Sequence, residues 1–516
     1  MNLGIKEFDR IRQTFNGNSI RSERSKIGQF LTPAEIAQFM ASLFKQDCQN
    51  VRILDAGAGT GVLFAAAVEH FTSRKSRPRT IEVVAYENDS LALSYLSETL
   101  RRCETACDRA GIRFYGEIRE EDFVASGLAL VEKGLFTEQA ERFTHVILNP
   151  PYKKINAQSE TRKILDTLGM EVTNLYAAFV WLAAKLLDPK GELVAITPRS
   201  FCNGPYFRRF RLALLDMMAL QQIHVFASRK KVFGDDNVLQ ENVIFHATRN
   251  QCKPNRVAIS SSKGVDFSNA SIRHVLYEHV VLPRDRDSFI HLLLSDEDDE
   301  TIEMIQRFDA SLSDLGIEVS TGRVVDFRAR NYLMYRPEKN TAPLIYPCHF
   351  ENGFVNWPGK TAKKPNAILS VEQTRDLMVV AGDYVLTKRF SSKEERRRVV
   401  AAIYDPSKIK ASLVGFENHL NYFHTKAKGL SPNLARGLAM YLNSSLFDKY
   451  FRLFSGHTQV NATDLRKMRY PSREQLMNLG MHVKDRMPNQ ETIDAALKRV
   501  MDGQTCNKHK RTFRSP

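Results

Sequence analysis

The sequence predicts an α/β protein with an open, mostly parallel sheet of about seven strands, followed by an α+β domain. Between residues 28 and 250, short apolar runs alternate with stretches whose apolar residues recur at helical spacing. A glycine-rich turn follows the first of these runs. From residue 255 onward the alternation gives way to irregular segments rich in arginine, lysine and aromatic residues. We therefore predict a basic helix and arm over residues 1–27, the α/β domain over 28–250, a second domain over 255–475 and a C-terminal helix with a basic tail over 476–516.

Length and charge narrow the class of protein. The chain has 516 residues, more than one compact domain usually holds. Its 74 lysines and arginines outnumber 59 acids, and the net charge of +15 favours a polyanionic partner. The sequence has neither a signal-peptide core nor an apolar run of roughly eighteen residues, so we expect a cytoplasmic protein without membrane contact. The seven cysteines are odd in number and scattered, which predicts reduced thiols and no metal site.

The first motif is the segment Gly28–Pro33, which precedes the first strand, Val51–Leu54. Thr32 suits an N-cap and Pro33 the first position of a helix that runs through Leu43. Taken alone, this pattern indicates the start of a helix and nothing more.

The first strand runs into the glycine-rich turn Asp55–Gly61, and the apolar run Val62–Val68 predicts a helix after it. Glycines let a ligand approach the backbone, and a helix N-terminus presents unpaired N–H groups, so this order is typical of a nucleotide-type site. A dinucleotide fingerprint has the spacing G-x-G-x-x-G, whereas these glycines alternate and follow an acid. The acid suits a cationic amino group, as in S-adenosylmethionine, better than a pyrophosphate.

Acids also follow the next two predicted strands. The second strand, Ile81–Tyr86, ends in Glu87, where a carboxylate can bind the two hydroxyls of a ribose. A third strand near Ile112–Tyr115 leads to Asp122, which suits an amine, and Phe123, which suits the ring of a base. Taken singly, these two are more typical of a solvated acid and a core side chain.

The fourth strand, Thr144–Leu148, runs into Asn149, Pro150, Pro151 and Tyr152, at the end of the sheet where such folds bind ligands. The two prolines hold the backbone extended and remove two N–H donors. The Asn149 side-chain carbonyl and the Pro150 main-chain carbonyl then offer two acceptors to one primary amine, and Tyr152 offers a flat face. A lone Asn-Pro-Pro is more often a simple turn after a strand.

The remaining strands of the predicted sheet are Gly191–Ile196, Gln222–Phe226 and Val243–His246, and a helix is predicted over Tyr176–Leu187. Phe233 lies in a basic loop between the last two strands, which makes it a candidate exposed aromatic side chain.

The second domain carries a dense group of cations. A strand pattern over Gly382–Phe390 includes Lys388 and Arg389, and Arg396 follows in a run of arginines. Such a cluster suits either a solvated helix face or contacts with phosphates, and the net charge favours phosphates. Two further segments are assigned by pattern alone: a solvated turn at Asp296–Glu300 and mostly helix over Ser407–Phe454.

Four elements in this order are far more specific than any one of them: Gly28–Pro33, Asp55–Gly61 with Glu87, Asp122–Phe123 and Asn149–Tyr152. With these four elements the chain resembles the γ-group of S-adenosylmethionine-dependent DNA adenine-N6 methyltransferases of restriction–modification systems. The likeness covers about residues 20–250. More loosely, the segments Asn418–Asn421 and Gly456–Asn461 are similar to the target-recognition domain of such enzymes. The resemblance implies a Rossmann-like methyltransferase sheet.

The resemblance also implies residue roles. Thr32 and Pro33 would hold the methionine part of S-adenosyl-L-methionine, and Asp55, Gly57 and Gly59 would line its pocket. Glu87 would bind the ribose, and Asp122 and Phe123 would lie near the adenine ring. The catalytic residues that hold the target base would be Asn149, Pro150, Pro151 and Tyr152, with Phe233 as a second stacking aromatic. Contacts with DNA would come from Lys388, Arg389 and Arg396.

The resemblance further implies a site-specific enzyme that flips adenine out of double-stranded DNA, with a separately encoded restriction endonuclease as partner. We expect a monomer that needs no metal. Two other substrates would allow the same chemistry: a glutamine amide in a protein and adenine in RNA. An enzyme that methylates protein glutamine would have little use for the long basic C-terminal domain. A non-catalytic DNA-specificity module is the third alternative, against which the intact Asp55 and Asn149 argue.

Overall fold

The structure, a computed structural model, describes residues 14–15, 31–136, 141–156, 158–167, 169–226, 241–283, 285–359, 364–391, 395–454 and 459–512. The chain divides into two compact units, Met1–Leu294 and Ser295–Pro516. The basic helix and arm expected over residues 1–27 lie outside the described residues, apart from Thr14 and Phe15. Phe15 is buried and packs edge-on against Tyr95, with 5.8 Å between ring centroids.

The described part of the first unit is built on a nine-stranded sheet. Its strands are β1 (Asn50–Ala56), β2 (Thr80–Tyr86), β3 (Arg113–Arg119), β4 (Phe143–Leu148), β5 (Leu187–Pro198), β6 (Met218–Phe226), β7 (Asn242–Arg249), β8 (Arg256–Ser262) and β9 (Ser271–Leu276). In space the order is β3-β2-β1-β4-β5-β7-β6-β8-β9. Strands β1 to β5 pair in parallel, whereas β7 runs antiparallel between β5 and β6. The predicted α/β fold with a mostly parallel core and its seven strands is confirmed.

Strands β8 and β9 extend this sheet beyond the prediction. β8 pairs in parallel with β6, and β9 pairs antiparallel with β8. The boundary expected between residues 250 and 255 is therefore wrong, because the chain continues in the same sheet and the unit ends at Leu294. β8 carries the buried polar residues Ser260 and Ser262, whose hydroxyls lie 2.9 and 3.0 Å from the ring nitrogens of His224 on β6. No continuous apolar run marks this strand, so its pattern is weak in sequence.

The helices of the first unit are α1 (Ala34–Ser42), α2 (Val62–Ser73), α3 (Ser90–Ala110), α4 (Phe123–Phe136), α5 (Glu160–Thr167), α6 (Leu175–Leu186), α7 (Arg208–Met217) and α8 (Tyr277–Val280). α2 and α6 are buried on all sides over most of their length, as their apolar sequences require. α6 confirms the helix predicted over Tyr176–Leu187. α1 starts one residue later than predicted, with Pro33 at the N-cap and no side-chain cap, so the Thr32 hydroxyl does not cap this helix.

The second unit contains a six-stranded and a five-stranded sheet. Their strands are β10 (Glu318–Thr321), β11 (Leu333–Met334), β12 (Thr341–Ile345), β13 (Phe350–Glu351), β14 (Phe354–Val355), β15 (Ala367–Leu369), β16 (Met378–Val380), β17 (Tyr384–Lys388), β18 (Ala401–Tyr404), β19 (Leu413–Phe416) and β20 (Leu420–His424). The sheet orders are β10-β20-β17-β18-β14-β13 and β11-β15-β12-β19-β16. The helices are α9 (Asp296–Gln306), α10 (Asp326–Ala329), α11 (Pro432–Leu442), α12 (Ser445–Phe454), α13 (Ala462–Lys467), α14 (Arg473–Gly480) and α15 (Gln490–Thr512).

Sequence patterns were less reliable in this unit. β17 confirms the strand predicted over Gly382–Phe390. The helical prediction for Ser407–Phe454 is wrong in its first half, where β19 and β20 pair within the sheets. The acidic run Asp296–Glu300 is not a turn but the start of α9, where Ser295 forms a capping box with Asp298. Carboxylates in the first turn are favourable because they face the positive end of the helix dipole. None of the described helices is long and apolar enough to span a membrane.

Candidate active site

A cleft at the carboxyl end of the parallel strands brings most of the predicted cofactor and base residues together. β1 lies between β2 and β4, so the residues that follow these three strands meet at one edge of the sheet. The predicted residues that line the cleft are Thr32, Gly57, Gly59, Glu87, Asp122, Phe123, Asn149 and Pro151. The predicted residues that do not line it are Pro33, Asp55, Pro150 and Tyr152.

The glycine-rich turn needs glycine for both its conformation and its contacts. Gly57 and Gly59 have φ angles of +74° and +56°, which side chains rarely adopt. A Cβ atom on Gly59 would lie 2.7 Å from Cδ2 of Leu31. The N–H groups of Gly57 and Ala58 both donate to the carbonyl oxygen of Tyr86 at 2.9 Å. The turn is thereby tied to the end of β2, with bare backbone along the cleft.

Glu87 lines the cleft and also holds this turn. Only 5% of the residue is exposed. Its carboxylate accepts main-chain hydrogen bonds from Gly59 at 2.7 Å, Asn88 at 2.9 Å and Asp89 at 2.8 Å. Burial raises the pKa of Glu87, and these hydrogen bonds act against the rise. A single carboxylate therefore connects the ends of β1 and β2.

Asp55 lies behind the cleft, not in its wall. The residue is fully buried, and its Oδ2 accepts a hydrogen bond of 3.3 Å from the N–H of Phe64 in α2. Its Oδ1 has no hydrogen-bond partner among the described residues. Burial raises the pKa of Asp55 to about 8; the Phe64 hydrogen bond lowers it and the nearby Glu87 raises it further. The expectation that Asp55 lines the pocket is wrong, because the strand end turns this side chain into the core.

Aromatic side chains form one wall of the cleft. Phe123 packs against Tyr86, with ring centroids 5.1 Å apart, and against Phe179, at 5.2 Å. Phe179, on α6, would also lie 3.6 Å from a Cβ atom on Gly57. Asp122 is exposed at the rim, and its Oδ1 accepts a hydrogen bond of 3.0 Å from the N–H of Ala125. The wall suits a planar ring with polar groups at its edge.

The Asn149–Tyr152 corner closes the other side. Asn149 is half-buried, and its Nδ2 donates a hydrogen bond of 2.9 Å to Oγ1 of Thr32. Tyr152 is half-buried, with its ring edge-on to Tyr176 at 6.3 Å and its hydroxyl 3.5 Å from the carbonyl oxygen of Ile196. Burial raises the pKa of Tyr152, so the phenol stays neutral at physiological pH.

Several cleft residues were missed by sequence reasoning: Leu31, Tyr86, Asp89, Lys153, Leu175 and Phe179. Tyr86, Leu175 and Phe179 lie in a strand or a helix, where apolar residues indicate core packing and give no separate signal for a ligand. Leu31 precedes Thr32, Asp89 lies two residues after Glu87 and Lys153 follows Tyr152, so proximity in sequence was the available signal.

Comparison with known proteins identifies the family. Residues 82–233 match the Eco57I restriction-modification methylase family. The chain is 44% identical to the type II methyltransferase M.PstI of Providencia stuartii over 475 residues, which cover 92% of this chain and 93% of that protein. The chain belongs to the type II methyltransferase family. This methyltransferase is also 43% identical to M.BsuBI of Bacillus subtilis over 502 residues, which cover 96% of this chain and 98% of the relative.

Solved structures give more distant likenesses to this methyltransferase. The type IIG restriction endonuclease BpuSI is 13% identical with a TM-score of 0.44, and the match covers 92% of this chain and 64% of BpuSI. The methyltransferase subunit of a type I restriction-modification system from Streptococcus thermophilus is 20% identical with a TM-score of 0.33, over 46% of this chain and 48% of that subunit.

Membership of the family confirms that the cofactor is S-adenosyl-L-methionine. The cleft of the methyltransferase fits this molecule. The cofactor combines a planar adenine, a ribose diol and a cationic sulfonium with an amino group. The cleft offers an aromatic wall at Phe123 and Phe179, a carboxylate at Glu87 and bare backbone at Gly57 and Gly59. The adenine and the ribose therefore each have a matching surface, and the glycines leave room for the rest of the cofactor.

The cations expected to contact DNA lie in the second unit of the methyltransferase. Lys388 ends β17 with its Nζ 5.9 Å from the centroid of the Phe350 ring. Arg389 is half-buried, and Arg396 is exposed. Arg398 in the same run is buried, and its Nε donates to Ser391, so that arginine is structural. Phe233 lies outside the described residues.

The segments likened to a target-recognition domain meet beside Arg389. Arg389 forms main-chain hydrogen bonds with both segments. Its N–H donates to His419 O at 2.8 Å, and its carbonyl accepts from Val460 N at 2.7 Å. Phe390, 45% exposed, bridges to Gln459, and its ring lies 4.9 Å from that of His419. We call the residues Arg389, Phe390, His419 and Gln459 the recognition cluster.

A buried carboxylate orients one member of this cluster. Glu417 is 1% exposed and accepts hydrogen bonds from Nδ1 of His419 and, at 3.0 Å, from its main-chain N–H. The His419 side chain is half exposed. The Arg389 guanidinium carbon lies 5.8 Å from the centroid of the Phe390 ring, and that ring adjoins His419, so a cation, an aromatic ring and a histidine lie together, a combination that suits a nucleic acid. Phe390, His419 and Gln459 were not among the predicted site residues.

Proposed function

We propose that this type II methyltransferase transfers a methyl group to the N6 amine of adenine in duplex DNA, as the modification enzyme of a restriction–modification system. The observation that carries the proposal is the position of Asn149, which lines the same cleft as Gly57, Gly59 and Glu87. An amine held at Asn149 would adjoin the methyl donor.

In this proposal the cleft residues hold the cofactor in the order expected from the resemblance. Glu87 binds the ribose hydroxyls, and Phe123 with Asp122 binds the adenine ring. Thr32 borders the methionine part, and Pro33, which does not line the cleft, follows it at the N-cap of α1. Asp55, enclosed behind the glycine-rich turn, accepts from the Phe64 N–H at the start of α2 instead of touching the ligand.

The chemistry follows from the electronic structure of adenine. The lone pair of its N6 nitrogen is delocalised into the ring, which makes the amine a poor nucleophile. Hydrogen bonds from N6 to Asn149 Oδ1 and to the Pro150 carbonyl would draw the nitrogen towards tetrahedral geometry and direct its lone pair. The cofactor supplies an electrophilic sulfonium methyl group. As the new N–C bond would form, the bond between the sulfonium sulfur and that methyl group would break and leave a neutral thioether, and N6 would lose one of its two protons to solvent.

An adenine inside a duplex must first leave the stack, at a cost of a few kcal/mol. Stacking on Tyr152 would offset roughly 1–3 kcal/mol of that cost. The recognition cluster with Lys388 and Arg396 would contact the DNA, because cations and exposed rings fit phosphates and bases. A separately encoded restriction endonuclease would act on the same sequence.

The test is to incubate the purified chain with methyl-labelled S-adenosylmethionine and duplex DNA, and to separate the resulting nucleosides. We expect label in N6-methyladenine alone, and at least about 100-fold slower labelling with the Asn149→Ala variant. Label in N4-methylcytosine, in structured RNA offered in place of DNA or in protein glutamine would overturn the proposal. Sequencing of host DNA with detection of modified bases would then give the target site.

A further inference from the structure

We infer that Thr32 is a positioning residue for methyl transfer, whose hydroxyl fixes the orientation of the Asn149 side-chain amide. The inference rests on the proposed function and adds a role that differs from binding the cofactor. Thr32 is 2% exposed, and its Oγ1 accepts the 2.9 Å hydrogen bond from Asn149 Nδ2 across 117 residues of chain.

The orientation of this amide matters because its two ends have opposite character. An amide oxygen accepts hydrogen bonds, whereas an amide nitrogen donates them. The target amine is a donor, so it must meet the oxygen. An amide rotated by half a turn would present N–H groups to another N–H group. A threonine hydroxyl can donate or accept, and here it accepts from Nδ2, which turns Oδ1 away from Thr32 and gives the amide the productive orientation.

The backbone alone does not determine this orientation. Pro150 and Pro151 restrict the main chain at the corner, but the last side-chain torsion of asparagine has a broad range. The Thr32 hydroxyl is not used as a helix cap, since α1 has no side-chain cap. This buried hydroxyl is thus satisfied by the hydrogen bond from Asn149 and not by the helix N-terminus.

The segment that carries Thr32 is itself held in place. Its neighbour Leu31 is buried and packs so closely on Gly59 that a Cβ atom there would lie 2.7 Å from Leu31 Cδ2. Pro33 follows at the N-cap of α1. The glycine-rich turn, Thr32 and Asn149 therefore form one continuous contact from the cofactor turn to the base pocket.

The experiment compares three variants of the full-length chain by single-turnover methylation and by equilibrium binding of S-adenosylmethionine. Thr32→Val keeps the shape and removes the hydroxyl, whereas Thr32→Ser keeps the hydroxyl. Thr197→Val is the matched control, because Thr197 is also buried and its hydroxyl has no partner among the described residues. We expect Thr32→Val to slow the transfer step roughly 10- to 100-fold while cofactor affinity stays within about twofold. Thr32→Ser should restore most of the rate.

A double-mutant comparison shows whether Thr32 acts through Asn149. In an Asn149→Ala background, Thr32→Val should cause no further loss. An equal loss in both backgrounds, a parental rate for Thr32→Val, or a loss matched by weaker cofactor binding would each overturn the inference.

A spectroscopic readout separates this inference from the proposed function. With 15N-asparagine labelling, the side-chain NH2 signal of Asn149, assigned by its absence in Asn149→Ala, should shift in Thr32→Val and not in Thr197→Val. An unchanged signal would reject the hydrogen bond, whatever the substrate proves to be. A chain that shows the shift but modifies no adenine would instead reject the proposed function alone.

Discussion

Oε2 of Glu87 accepts a hydrogen bond of 2.7 Å from the main-chain nitrogen of Gly59, and so joins the end of β2 to the glycine-rich turn after β1. The turn has a left-handed conformation at Gly59, with φ of +56°. The carboxylate that lines the cleft therefore also maintains the shape of the turn beside it.

Replacing this carboxylate should weaken cofactor binding more than a contact to the ribose alone would explain. Glu87→Ala removes the acceptor for three main-chain N–H groups, and that of Gly59, which is buried, would cost about 1–3 kcal/mol when left unpaired. We expect affinity for S-adenosylmethionine, measured by calorimetry, to fall at least about tenfold, together with a lower melting temperature. Glu82→Gln, on the same strand but outside the cleft, is the control. Parental affinity in Glu87→Ala would contradict this role.

Replacement of Asn149 and replacement of Tyr152 should lower the rate of methyl transfer by different factors. Asn149→Ala removes an acceptor that acts on the reacting nitrogen, and we expect a loss of at least about 100-fold in the transfer rate. Tyr152→Ala removes stacking of roughly 1–3 kcal/mol, so a smaller loss, about 5- to 100-fold, is expected. Single-turnover methylation measures both, with Tyr115→Ala at an exposed site on β3 as control. Equal losses would refute this division of roles.

Asp55 makes the stability of the chain depend on pH. Its pKa of about 8 in the folded chain exceeds the ordinary value of 3.8, because the carboxyl is fully buried. The stabilisation from holding the proton is complete below pH 3.8 and is lost as the pH rises through 8.

Asp55→Asn removes this dependence. Its free energy of unfolding relative to the parent, from urea denaturation of the full chain, should rise by about 1.4 kcal/mol per pH unit between pH 5 and 7. Asp108→Asn, at an exposed position on α3, should show no such trend. A pH-independent difference for Asp55→Asn would show that the carboxyl is already ionised in the fold.

The recognition cluster should separate electrostatic from stacking contributions to DNA binding. Arg389→Gln should lower affinity and reduce the slope of log affinity against log salt by about one, as expected for one lost phosphate contact. Phe390→Ala should lower affinity while leaving that slope unchanged, because stacking releases no counterions. Fluorescence anisotropy at several salt concentrations measures both effects. Arg375→Gln is the charge-matched control, since the Arg375 side chain is 75% exposed elsewhere in the unit. A slope identical to that of the parent in Arg389→Gln would exclude the phosphate contact.

Much of the first unit was predictable because its signals are local. Strands β1 to β7 appear as short apolar runs, and the candidate residues directly follow strand ends, which a parallel sheet gathers at one edge. The second unit was less predictable, since its short strands pair with partners far along the chain and carry no periodic apolar pattern. β8 was not predicted for a related reason. Its buried serines are polar, and they form hydrogen bonds with His224 on another strand.

The sequence by itself determined the order of the motifs, the α/β class, the cofactor and the identity of Asn149 as the candidate catalytic residue. Only the tertiary structure decided that Asp55 lies behind the pocket, that Thr32 bonds to Asn149 instead of capping α1, and that Phe390 packs beside His419 and pairs with Gln459. The physical reason is that side-chain direction and contacts between distant segments depend on packing of the whole unit, whereas strand, turn and helix signals depend on neighbouring residues.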